Sequence, residues 1–149
     1  MAGDGKLTTS GARLIDLETA CQDRLSDAES LFSSGRHAAA IAAGLYALEI
    51  GLKVKICKRL ALKELPRAFE IHDLDGLLVL TGLSRLLNGP AMKRSKVKRN
   101  WDEIRTASGQ LNDLRYLPAD RWDAAQAKRF LYQLKDEDDG ALTWLLKQP

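Results

Sequence analysis

Aromatic residues are scarce in this chain, with three Phe, three Tyr and three Trp among 149 residues. Sheets draw on aromatic and β-branched side chains, whereas here leucine and alanine carry the apolar content, which suits helices. Only two cysteines are present, Cys21 and Cys57. Both fall within apolar helical stripes, so they read as buried reduced thiols of a cytosolic protein. The two histidines, His37 and His72, have no Cys or His neighbour at metal-ligand spacing, and neither a zinc site nor any other metal is expected. No Ser-His-Asp arrangement or glycine-rich nucleotide fingerprint occurs; Gly3-Asp4-Gly5-Lys6 lacks both the glycine spacing and the preceding strand of a phosphate loop. No cofactor is therefore expected. No apolar run reaches membrane-spanning length and the N-terminus lacks a signal-peptide core, which leads to the expectation of a cytoplasmic protein with no membrane partner. The net charge of +3 is too small by itself to argue nucleic-acid binding. There is no internal repeat and no low-complexity linker. The expectation is one domain over residues 1–149, with residues 1–10 flexible.

What is present is organised around Arg36–Leu65, a stretch without proline. Ile41, Leu45, Leu48, Leu52, Ile56 and Leu60 recur at steps of three and four, which keeps them on one face of an α-helix. Ala38, Ala39, Ala42, Ala43, Gly44 and Ala47 make its first half slim, so neighbouring helices can approach closely. Lys53, Lys55, Lys58, Arg59 and Lys63 are expected around the apolar stripe. Before it, Leu14, Leu17, Cys21, Leu25, Ala28, Leu31 and Phe32 define a first amphipathic helix over 12–32. Gly35 suits a left-handed C-cap there, and the short connection predicts that the central helix returns antiparallel.

Pro66 is expected to end the central helix. Asp73 is the expected N-cap of a third helix whose leucines, from Leu74 to Leu87, face inward until Asn88-Gly89-Pro90 breaks it. A fourth helix carries Val97, Trp101, Ile104, Leu111 and Leu114, and Pro118 stops it. The fifth begins near Asp120 or Asp123. Its inward positions, Ala127, Leu131, Leu134, Asp138, Ala141 and Leu145, keep register through the acidic run 136–139. That favours one long final helix; the alternative is a break near Gly140, with an aspartate capping a short terminal helix. The fold class expected is all-α, a five-helix up-and-down bundle. Lys93, Arg94, Lys96, Lys98 and Arg99 crowd the start of the fourth helix, where cations oppose the macrodipole. They read as a solvated entry turn or, more sharply, as an RNA- or anion-binding edge.

Three segments resemble the HEPN domain family: Tyr46-Ala47-Leu48-Glu49-Ile50-Gly51-Leu52-Lys53 its "ALE..LK" segment, His72-Asp73-Leu74-Asp75-Gly76-Leu77-Leu78 its "HDL..LL" entry to the third helix, and Arg115-Tyr116-Leu117-Pro118 its "RY.P" stretch. Order and spacing match over about residues 12 to 147. The resemblance implies a helical bundle, often a homodimer. Family members include ribonuclease toxins, partners of nucleotidyltransferases and nucleotide-binding appendages. Lys53, His72, Asp73, Arg115 and Tyr116 are the ligand-binding candidates. His72, Asp73, Arg115 and Tyr116 are polar groups at helix ends, which predicts that they meet at one pole of the bundle, with Arg115 paired to Asp73. Arg115, Lys53 and Arg67 would face a nucleotide phosphate, with Tyr116 stacked on a base.

The spacing Arg67-Ala68-Phe69-Glu70-Ile71-His72 matches the arginine-to-histidine interval of HEPN ribonucleases. Ala68 stands where that motif usually has a polar residue, and the match falls before the third helix rather than near the fourth. The preferred expectation is therefore a non-catalytic HEPN-like bundle. It would dimerise and bind a nucleotide, an RNA or a protein partner such as a nucleotidyltransferase, within a toxin–antitoxin or antiviral system. The alternative is a metal-independent endoribonuclease using Arg67 and His72.

Overall fold

A computed structural model describes residues 11–149. The segment expected to be flexible, 1–10, lies outside the described residues. The described chain is all-α. Its helices are α1 (Leu14–Ser33), α2 (His37–Arg59), α3 (Leu74–Thr81), α4 (Ser84–Leu87), α5 (Lys96–Ser108), α6 (Leu111–Tyr116), α7 (Ala124–Lys135) and α8 (Ala141–Lys147). Single 3-10 turns occupy Arg67–Phe69 and Ala119–Arg121. Among the described residues there is no strand, only an isolated bridge between Arg13 and Glu64. No described helix is long and apolar enough to cross a membrane.

The central helix is the hub, as its apolar content requires. α2 packs against α1, α3, α6, α7 and α8. Ile41, Leu45, Leu48, Leu52 and Ile56 are buried, with Leu74, Leu78, Trp101, Ile104 and Leu131 from the other helices. Burial is not confined to one stripe, however. Every residue from Gly51 to Cys57 is buried, including Lys53 and Lys55, each 8% exposed. Leu60, expected in the stripe, is 44% exposed because α2 stops at Arg59. The stop comes before Pro66: Ala61 takes a left-handed conformation (φ 53°), the Leu62 N–H returns to the Cys57 carbonyl at 2.8 Å and the Ala61 N–H to Lys58 at 3.2 Å. That pair of bonds closes a helix C-terminus in the Schellman manner. The same closure ends α1, where Gly35 (φ 76°) stands at the expected position.

Each of the last three expected helices is divided in two. The third breaks at Gly82 (φ 80°), where a side chain would be strained. Arg59 lies against that glycine and donates Nη1–H to the Leu80 carbonyl at 2.9 Å, so the end of α2 caps the end of α3. The fourth bends at residues 109–110, which separates α5 from α6 and leaves Leu111 and Leu114 only partly buried. Pro118 stops α6 as expected, with Leu117 extended before it.

The fifth begins at an Asp123–Gln126 capping box, with both bonds at 2.8 Å. It is not continuous. The Asp136 carboxylate accepts the N–H groups of Asp138 (3.2 Å) and Asp139 (2.9 Å), folding a turn in place of helix. A Cβ on Gly140 would stand 2.5 Å from the Asp136 nitrogen, so only glycine fits. Ala127, Leu131, Leu134, Ala141 and Leu145 are nevertheless all buried, whereas Asp138, expected inward, is exposed. No aspartate side chain caps α8; its N-cap is Gly140. Both cysteines are free and buried, and burial pushes the Cys21 thiol up to about 11 and the Cys57 thiol upward.

Candidate functional site

On α2, Tyr46, Glu49 and Lys53 fall at spacings of three and four, which places them on one helical face. That face meets the start of α3. The Gly76 N–H donates to Asp73 Oδ2 at 3.0 Å, so Asp73 caps α3 as expected. The cap fixes the residue before it, His72, whose Nδ1 lies 2.8 Å from Glu49 Oε1. The other carboxylate oxygen, Oε2, accepts from Lys53 Nζ at 3.3 Å. Glu49 is thus a largely buried carboxylate held by a buried ammonium below and by a histidine that is 81% exposed above. With Nδ1–H donated to Glu49, the free Nε2 of His72 is an acceptor.

Tyr46, Glu49, His72 and Asp73 line a cleft of about 390 Å³. Leu45, Tyr46, Glu49, His72 and Asp73 form one side, and Arg105, Ser108 and Leu111 from the α5–α6 bend form the other. Arg105 is held loosely, 3.4 Å from Asp75 and 3.7 Å from Asp102. Both of those carboxylates are part exposed, so the guanidinium can exchange partners. Arg115, near the end of α6, is exposed, and its pKa is raised by the phenols of Tyr46 first and Tyr116 second.

Of the polar groups expected at one pole, His72 and Asp73 share the cleft. Lys53, His72 and Asp73 converge around Glu49. Arg115 and Tyr116 are not among the residues lining the cleft, and no Arg115–Asp73 ion pair forms; the Arg115 pKa responds chiefly to Tyr46, one turn along α2. Asp73 is committed to its helix cap. Lys53 is committed to Glu49 beneath the surface. Of the expected site residues, His72 and Asp73 line the cleft, whereas Lys53, Arg67, Arg115 and Tyr116 do not; Arg67 sits exposed on its 3-10 turn. Sequence reasoning missed Glu49, Tyr46 and Arg105. A Glu–Lys pair four residues apart on the central helix was the available signal for Glu49; Arg105 had none, because only the α5–α6 bend brings it to the cleft.

The basic cluster precedes and opens α5, where the Ser95 hydroxyl accepts the Lys98 N–H at 3.1 Å. Lys98 pairs with Asp102 at 2.5 Å and Lys96 reaches Asp139 at 3.8 Å. Lys93, Arg94 and Arg99 are exposed and have no carboxylate partner among the described residues. No protein-family model, curated protein or solved structure matches this chain.

Proposed function

We propose that this chain is a non-catalytic, HEPN-like helical bundle that forms a homodimer and binds a nucleotide in the cleft between α2, α3 and the α5–α6 bend. The observation that carries the reading is the Lys53–Glu49–His72 chain of contacts, because it joins two of the three segments on which the resemblance rests. The third segment supplies Arg115, whose pKa the Tyr46 phenol raises, and the adjacent Tyr116. In this reading Arg105 and Arg115 take the phosphates, since guanidinium forks match phosphate oxygens. Tyr116 is exposed and offers a face to the base. Lys53 and Glu49 form the floor and orient His72. A nucleotidyltransferase is the partner class the resemblance suggests, in a toxin–antitoxin or antiviral setting.

A second reading, a metal-independent endoribonuclease, draws on one observation. The Glu49 contact would hold His72 so that Nε2 can accept or return a proton at a ribose hydroxyl. The exposed placement of Arg67 outside the cleft weighs against it.

Calorimetry and thermal shift with nucleoside mono-, di- and triphosphates test the preferred reading. Bound nucleotide should raise Tm in a concentration-dependent way. Arg115→Ala should abolish that rise while leaving the Tm of the free protein nearly unchanged, because the arginine is fully exposed. RNA cleavage lost on His72→Ala would move the assignment to the nuclease. No thermal response to any nucleotide at millimolar concentration would end the cleft reading.

A further inference from the structure

α5 and α7 pack side by side, and the groove between them gathers Lys96 and Arg99 from one helix with Arg129 and Tyr132 from the other. Tyr132 is 51% exposed. It also borders the next groove, where Lys128 and Lys135 stand beside Phe32 together with the carboxylates of Glu29 and Asp136. One aromatic ring is therefore flanked by cations on both sides. Carboxylates reach some of them: Glu103 holds Arg129 in a fork at 3.0 and 2.9 Å and also accepts from Gln133, Glu29 holds Lys135 at 2.6 Å, and Asp139 stands 3.8 Å from Lys96. Arg99 and Lys128, together with Lys93 and Arg94 on the turn leading into α5, have no carboxylate partner among the described residues. The positive end of the α5 dipole lies among the α5 cations, so their charge there is unfavourable until an anion approaches.

We infer that this strip, independent of the α2–α3 cleft, binds single-stranded nucleic acid. The phosphodiester backbone lies along Arg99, Lys96 and Lys128, and one base stacks on Tyr132. Cations that track a backbone around an aromatic platform are the chemistry of single-strand recognition. A duplex hides its base faces and leaves the ring unused.

Fluorescence anisotropy with labelled strands of about twelve nucleotides tests this, using ribo- and deoxyribo-oligonucleotides and a duplex of the same length. Single strands of either sugar should bind, and binding should weaken steeply with salt. Tyr132→Ala should weaken binding about tenfold while Tyr132→Phe preserves it. Arg99→Glu with Lys128→Glu should remove most binding and flatten the salt dependence. Arg85→Glu, an exposed charge reversal on α4, should bind as wild type. The inference fails if no strand binds at low salt, if duplex and single strand bind alike, or if Arg85→Glu weakens binding as much as Arg99→Glu. It also fails if Arg115→Ala abolishes strand binding while the strip variants keep it, which would assign the strand to the cleft.

Discussion

Lys53 is all but buried, and a buried ammonium needs a partner. Glu49 supplies it, with its second oxygen turned to His72. Glu49→Gln keeps the shape and removes the charge, leaving Lys53 with a weaker acceptor. The expected cost is roughly 1–3 kcal/mol in urea unfolding. An exposed pair such as Arg13–Asp16 should yield only a few tenths. A cost no larger than that pair's would mean that the ammonium reaches water. A second buried group makes stability depend on pH. Cys21 donates its Sγ–H to the Ala47 carbonyl at 3.3 Å, and burial raises its pKa from 9.0 to about 11. Between those values the unfolded chain has released the proton that the native chain retains, so stability is full below about 9 and falls as pH rises toward about 11. Lys55 acts in the opposite sense. Burial, aided by Lys58, lowers its pKa from 10.5, and its contribution grows as pH rises through that lowered value. Comparing wild type with Cys21→Ala cancels the lysine. The difference in unfolding free energy between the two should shift against wild type from pH 9 to 11. A difference that stays constant over that range would remove Cys21 as the source.

At the scale of the element, the C-terminus of α2 is held in a way its sequence hides. Ala61 occupies a left-handed position that L-residues take at a cost. Ala61→Gly should therefore stabilise the protein by about 0.5–1 kcal/mol, the conformational relief being partly offset by the entropy of a freer unfolded chain. Destabilisation in urea would show that the closure depends on the alanine methyl group. Such details mark how far the fold was legible. The apolar periodicity identified the all-α class, the hub helix and most of the core, because burial must follow the helical repeat wherever a helix packs. It did not reveal the divisions at Gly82, 109–110 and 136–140. At the last of these, Leu134 and Ala141 are both buried although the chain leaves the helix between them, so the pattern reads as unbroken. What breaks it is an Asp136 side chain bonding to its own backbone, which periodicity does not register. The site divides likewise. Asp73 as a cap is a local property and was readable. The Glu49–His72 contact depends on which face of α2 meets α3, and that is decided by packing.

For the molecule as a whole, one open stretch of α2 lies near its start. There Ala39, Ala42 and Ala43 form the floor of an open groove, with Tyr46 at one end and Arg24, Asp27 and Ser30 of α1 along the wall. Small side chains allow another helix to approach closely. The wall carries opposite charges, Arg24 and Asp27, paired at 3.0 Å and about half exposed. In the proposed homodimer, a two-fold axis across the groove would set Arg24 of one copy against Asp27 of the other, making the surface complementary to itself. The proposed homodimer is expected to use this groove, and sedimentation equilibrium at micromolar concentration should return twice the chain mass of 16.5 kDa. Ala42→Glu should give a monomer with an unchanged helical spectrum, since Ala42 is only partly buried in the single chain and glutamate is a good helix former. Arg24→Asp should weaken the dimer by setting like charges together, and adding Asp27→Arg should restore it, because exchanging both signs preserves the symmetry. Tyr46 also borders the cleft proposed to bind nucleotide. A partner seated on the groove therefore touches a wall of that cleft, and bound nucleotide should tighten association by the same factor by which dimerisation tightens nucleotide binding. A chain that sediments as a monomer at every concentration, with and without nucleotide, or a dimer indifferent to Ala42→Glu, would show that this face does not join two copies.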